Sequence, residues 1–196
     1  MALAQPTPLP FPKSEGADLP VQPQQQELVV EFAEQFTALQ GKFIFCLDDA
    51  ELKGSFEKLS YQNQWTRIYC SNELLRTKLA LTAVHGELES CEAAVTDCEF
   101  LVARTGSLML SAQNSGRSTS VYAPVHICIA YTSQLVYDIK DALEGATQKY
   151  KQGLPSMITL ATGPSRTADI EKTLVVGVHG PKEVYCFVVD NMDHSG

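Results

Sequence analysis

The chain has 196 residues, enough for one domain with a sizeable core and a tail. Hydrophobic residues make up 44% and charged residues 19%, which separates it from wholly disordered chains. Fifteen Lys and Arg against twenty-three Asp and Glu leave a net charge of −8, so it lacks the basic face that general nucleic-acid or anionic-membrane binding requires.

Residues 1–26 read as a tail. Six of the ten prolines lie between Pro6 and Pro23, Gln24–Gln26 closes the segment, and such a stretch buries too little apolar surface to offset its ordering entropy. The domain is expected over 27–196. Leu28, Val29, Phe32, Phe36 and Leu39 keep helical spacing, with Gly41 at the stop. Phe43–Leu47 is a short apolar run, a strand. Asp48 then caps a helix with Glu51 in capping-box position, and Leu52, Phe56 and Leu59 form its stripe. Thr66–Cys70 is the next strand, Ser71 the next cap, and Leu74, Leu75 and Leu79 the next helix.

The middle of the chain reads as short strands over Ala93–Thr96, Glu99–Ala103, Ser107–Ala112 and Val125–Tyr131. A helix follows, with Leu135, Ile139, Ala142, Leu143, Ala146 and Tyr150 on one face and Thr132 or Ser133 as its cap. Lys149 and Lys151 suit its last turn, and Gly153 and Pro155 end it. Met157–Thr162 is a strand, Ala168–Val176 a short helix and Val184–Val189 the last strand. The alternation predicts an α/β fold: a mainly parallel sheet, helices on both faces and a small antiparallel part.

The longest apolar runs fall far short of the roughly 18 residues of a membrane helix, and the first residues lack the basic start and apolar stretch of a secretory signal, so a cytoplasmic location is expected. The six cysteines, at 46, 70, 91, 98, 128 and 186, form no Cys-x-x-Cys pair. They are expected as reduced, buried thiols, with no metal and no cofactor held by this chain.

Two regions carry candidate chemistry. From Phe100 to Tyr137 there is no Asp or Glu, while Arg104, Thr105, Gly106, Ser107, Asn114, Gly116 and Arg117 supply cations, hydroxyls and open backbone. That composition fits an anion site and equally a solvated loop between strands. In Gly163-Pro164-Ser165-Arg166-Thr167, Ser165 or Thr167 can cap the helix that follows, leaving N–H groups and Arg166 for an anion; Asp169 and Glu171 offer a purely structural alternative. In open α/β sheets such ligands lie outside the carboxyl ends of the strands, so the Gly163 loop, which follows the strand Met157–Thr162, is expected there. His126 and His179, the latter beside Gly180, are further candidates, each also readable as a hydrogen-bonded structural residue. No Walker loop, Gly-x-Gly-x-x-Gly or Gly-x-Ser-x-Gly is present.

The string from Gly163 to Glu171, followed by Gly177-Val178-His179-Gly180-Pro181, resembles the signature of the lactate-utilisation (LUD) domain, in its protein C branch. Thr105-Gly106-Ser107 and Pro124-Val125-His126-Ile127 fall in the matching order. The resemblance implies a fold similar to ribose phosphate isomerases and coenzyme A transferases, and it places the Thr105-Gly106-Ser107 turn near the Gly163 loop, so that the two share one anion-accepting pocket at the carboxyl ends of the strands. It also implies a place beside an iron–sulfur subunit and a cysteine-rich subunit that together oxidise L-lactate to pyruvate, with the clusters in those partners. Whether this chain is itself catalytic, the resemblance leaves open; the alternative is a stand-alone enzyme or sensor of a small carboxylate or sugar phosphate. In one respect the sequence departs from the family: a Glu usually precedes Thr-Gly-Ser, and here Arg104 does, so the nucleophile that similar transferases draw from a nearby Glu is missing at this position.

Overall fold

A computed structural model describes residues 26–81, 88–115, 119–168, 174–176 and 180–191. Helix α1 (Leu28–Ala38) leads into strand β1 (Lys42–Cys46). Asp48 caps α2 (Asp49–Gln62) as expected, its side chain accepting from the Glu51 N–H, while the Glu51 carboxylate accepts from the Leu47 N–H. Strand β2 is short (Ile68–Tyr69), and α3 (Glu73–Lys78) is capped by Asn72 rather than Ser71. The Asn72 carbonyl oxygen accepts from both the Leu74 and Leu75 N–H groups, whereas its amide donates to Asp97. The chain continues through β3 (Ala93–Asp97), β4 (Phe100–Val102), β5 (Ser107–Ser111), the single turns α4 (Ala112–Ser115) and α5 (Thr119–Tyr122), and β6 (Val125–Tyr131).

Strand β7 (Leu135–Val136), helix α6 (Ile139–Lys149) and β8 (Ile158–Ala161) follow. The helix thus begins four residues later than its apolar spacing suggests. Asp138 is the cap: its side chain accepts from the Lys140 N–H and its own N–H donates to Asp141, a capping box that Thr132 and Ser133 do not form. Leu135 and Val136 pair with β4 instead. Of the helix expected over Ala168–Val176, residues 169–173 lie outside the described residues; on either side of them β9 (Arg166–Ala168) and β10 (Leu174–Val176) pair antiparallel instead, in register Thr167 with Val175. The β-branched Thr167, Val175 and Val176 favour that pairing over a helix. The last strand is β11 (Glu183–Val189).

Five strands form one sheet in the order β1-β11-β6-β3-β2, every pairing parallel. The expected α/β class and mainly parallel sheet are therefore found. Alternation along β6 and β11 splits the interior. Ile127, Ile129 and Phe187 pack on Leu52 and Phe56 of α2 and Leu75 of α3. Cys128, Ala130, Cys186 and Val188 pack on Phe32 and Phe36 of α1 and on Leu101, Leu108 and Leu110. Those leucines belong to a second sheet, β7-β4-β5-β8, which is antiparallel but for the β4–β7 pair and carries α6 on its far side through Val102, Met109, Ala142 and Ala146. Helix α1 and this second sheet together cover one face of the parallel sheet.

The second sheet is stapled by a buried carboxylate. Glu99, just before β4, has no exposed side-chain surface. Its oxygens accept from Lys149 Nζ at 2.7 Å, from the Tyr150 hydroxyl at 2.6 Å and from Ser111 Oγ. Burial pushes the carboxyl up, but the Lys149 ammonium and the two hydroxyls outweigh it and hold it below the usual carboxylate range. The end of α6 is tied in this way to β4 and β5. Glu99→Gln, which keeps the shape and removes the charge, is expected to cost about 1–3 kcal/mol at neutral pH. Because the folded value lies below the unfolded one, this stabilisation is complete above about pH 4.3 and is lost as pH falls through the lower folded value. Denaturant titrations of both proteins from pH 7 to pH 3 check this: the gap between them holds and then closes at the acid end.

Candidate functional site

The described residues of the signature gather at one end of the molecule. The last turn of α1 runs directly into the start of β1, so it lies at the amino end of the parallel sheet. Two turns press against it. Gly106 (φ +59°) ends the turn between β4 and β5, and a Cβ there would stand 2.5 Å from the Phe36 backbone nitrogen. Gly163 (φ +72°), just after β8, would place a Cβ 2.5 Å from the Leu39 carbonyl oxygen. Both positions need the left-handed backbone and the missing side chain of glycine. Between the turns, Ser107 Oγ lies 2.8 Å from Thr105 Oγ1 and 2.8 Å from Thr162 Oγ1, a chain of three hydroxyls. Ser165 donates its N–H to the Pro181 carbonyl at 2.9 Å, and a Cβ on Gly180 would meet the Ser165 side chain. Lys182 in turn donates its N–H to Pro124, just before β6.

Thr105, Gly106, Ser107, Gly163, Ser165 and Gly180 are thus neighbours through α1 and the starts of β6 and β11. The juxtaposition implied by the resemblance is present, but at the amino ends of the parallel strands, not the carboxyl ends. The reason is that β8 belongs to the second sheet and pairs antiparallel with β5, so its end points the opposite way from that assumed for a strand of the parallel sheet. The helix N-terminus expected after Ser165 is also absent, since β9 begins at Arg166.

Arg104 does not add free charge to the acid-free window. Its Nε donates to Asp138 Oδ2 at 2.6 Å, and its backbone N–H to the Tyr137 carbonyl at 3.0 Å. The two acids that flank the window, Glu99 and Asp138, each neutralise a cation, Lys149 and Arg104. Both were missed in reading the sequence, and their position at the window's borders was the available signal. The backbones of Asn114, Arg166 and Thr167 lie in α4 and β9, with side chains outside the described set; Gly116, Arg117 and His179 fall outside the described residues.

His126 is the second residue of β6, paired with Ala94 and Val184, and its ring is interior. Nε2 lies 2.8 Å from Thr96 Oγ1, in a role set by the tautomer, while Nδ1 has no hydrogen-bond partner among the described residues. Burial holds its pKa below the usual histidine value, against a smaller opposing pull from Cys128. It is a neutral core histidine, two residues from Cys128 on the same face. The six cysteines are all free and buried, and burial pushes the Cys46 and Cys70 thiols up to about 11, so these two behave as small apolar groups. Among the described residues no group of three or more His, Cys, Asp and Glu is arranged to hold a metal.

At the carboxyl ends of the parallel strands lies a second polar set that sequence spacing gave no means to find, because its members are far apart along the chain. Lys78 of α3 donates to Asp49 of α2 and, at 2.7 Å, to the Tyr131 hydroxyl at the end of β6. Asn191 holds Ser133 and Thr132, and Asn72 holds Asp97. These contacts pin the helices to the strand ends: Lys78 neutralises Asp49, while Asp97 accepts from the neutral Asn72 amide.

Set beside known proteins, residues 47–189 match the LUD domain model. The chain belongs to the LUD domain family. LUD relatives include proteins called lactate utilization protein C in Bacillus subtilis, 39% identical over 106 residues, and in Deinococcus radiodurans, 33% identical over 107 residues. An uncharacterized protein of Neisseria meningitidis is 36% identical over 99 residues. These matches take in 52%, 54% and 50% of this chain and 44%, 50% and 42% of the relatives, so the chain spans about half the length of the curated relatives it matches. A crystal structure of a DUF162 family protein from Deinococcus radiodurans shares the fold, with a TM-score of 0.63 at 20% identity, over 83% of this chain and 96% of that one. Among the described residues no helix is long and apolar enough to cross a membrane.

The buried neutral state of His126 sets a pH dependence. With the folded pKa below the unfolded one, the unfolded chain takes up the proton first, so stability falls as pH drops below about 6.5. His126→Gln keeps a partner for Thr96 and removes the titration. Its stability is expected to vary less than the parent's between pH 7 and pH 5 in parallel thermal melts.

Proposed function

We propose that this chain is the LUD-domain component of a system for the use of L-lactate, accessory to an iron–sulfur complex that oxidises L-lactate to pyruvate. The observation that carries the proposal is the family match together with the run of relatives called lactate utilization protein C. The iron–sulfur clusters are assigned to partner subunits, and the electrons pass through them. This chain contributes a folded surface, and the turns about Gly106, Gly163 and Gly180 are its most distinctive part. The alternative of a small-anion enzyme or sensor loses one of its cations, since Arg104 is held by Asp138.

Removal of the gene is expected to abolish growth on L-lactate as sole carbon source while leaving growth on pyruvate intact, and the full chain supplied in trans is expected to restore it. Tagged chain from lactate-grown cells is expected to co-purify with iron–sulfur proteins. Normal growth of the deletion strain on L-lactate would overturn the assignment.

A further inference from the structure

Strand β1 is an edge strand of the parallel sheet, paired with β11 on one side; among the described residues no strand pairs with its other side. The Cys46 carbonyl turns toward β11, where it accepts from the Asp190 N–H at 2.8 Å. Backbone alternation therefore points the N–H and C=O of Phe43 and Phe45 outward. Natural edges of this kind are blunted by charge, proline or a bulge. The Phe43-Ile44-Phe45 centre has none of these, and Phe45 is 39% exposed. The opposite edge, β2, is only two residues long.

We propose that this edge is a self-association surface, on which a second copy of the chain adds its own β1 antiparallel and joins two five-stranded sheets into one. The register follows from the groups available. The next outward amide, that of Leu47, is already held by the Glu51 carboxylate at 2.8 Å. The ladder that uses only free groups is centred on Ile44, with Phe43 exchanging both backbone hydrogen bonds with the partner's Phe45, and the reverse. In that register Phe43 and Phe45 meet across the seam on one face, and the two Ile44 side chains meet on the other. Lys42, whose ammonium is held by Glu183 at 2.6 Å and the Tyr185 hydroxyl at 2.8 Å, lies diagonal to the partner's Asp48, so the symmetry sets a cation beside an acid twice. No like charges stand opposite one another, so the edge is complementary to itself in shape, hydrogen bonding and charge.

Sedimentation velocity of the full chain over a range of concentrations tests this. The expected result is a monomer–dimer equilibrium whose upper limit is twice 21.5 kDa. Phe45→Lys, which sets two charges beside the axis on an already half-open position, is expected to lose the dimer and keep the melting temperature. Amide exchange on the unmodified chain supplies a reading independent of any variant: the Phe43 and Phe45 amides gain protection as concentration rises. A monomer throughout, with both amides exchanging freely, would overturn the proposal. So would a monomer with both amides protected at every concentration, which would mean that another part of the chain, such as residues 1–25, covers the edge. A dimer unchanged by Phe45→Lys would place the contact elsewhere and equally overturn it.

Discussion

The close approach of the last turn of α1 to two glycine turns is the constraint on which the rest of the structure depends. Helix α1 is wedged between the parallel sheet and the second sheet, with Phe32 and Phe36 fully buried and their rings stacked at 5.3 Å. Fully burying each such ring stabilises by about 1.5–3 kcal/mol, but only if both sheets come close enough to enclose it. Gly106 and Gly163 allow that closeness, since any side chain at either would strike the α1 backbone. Once α1 is seated, the hydroxyls of Thr105, Ser107 and Thr162 are brought into one chain, and the turns through Ser165, Gly180 and Pro181 are stacked beside them. Gly106 and Gly163, two of the residues that carry the family resemblance, are thus in the first place residues that let two sheets share one helix.

The charges of the molecule are arranged around this packing. Glu99 and Asp138 fix the two ends of the second sheet's unit by pairing with Lys149 and Arg104. Arg104, which stands where relatives of this type are expected to carry a glutamate, is matched by Asp138 and braces the start of α6. At the other end of the parallel sheet, Asp49, Lys78 and Tyr131 tie α2, α3 and β6 together. Ion pairing in both places is largely self-contained.

The sequence reading was sound where one local signal decided the outcome. The apolar run of Val125–Tyr131 is a strand end to end, because both its faces are buried. The Asp48 cap is where a short polar side chain three residues before a glutamate places it. It failed where tertiary pairing overruled periodicity. Leu135 and Val136 keep helical spacing with Ile139 yet pair with β4, and the polar start of the 168–176 stretch concealed a hairpin. The site was half legible. Glycine and hydroxyl residues marked the two turns and the family resemblance brought them together, but the end of the sheet on which they meet depends on β8 lying antiparallel in a second sheet, and no local pattern encodes that.

The measurement that bears most directly on this account is the stability and amide exchange of Gly106→Ala. A left-handed backbone costs an alanine about 1–2 kcal/mol, and the clash with Phe36 adds to it, so the total loss is expected to reach at least about 2 kcal/mol. The account predicts that the amides of Leu39, Gly41 and Ser165 lose protection together in this variant, because α1 and both turns are seated as one unit. Wild-type stability with unchanged exchange at those three amides would contradict it.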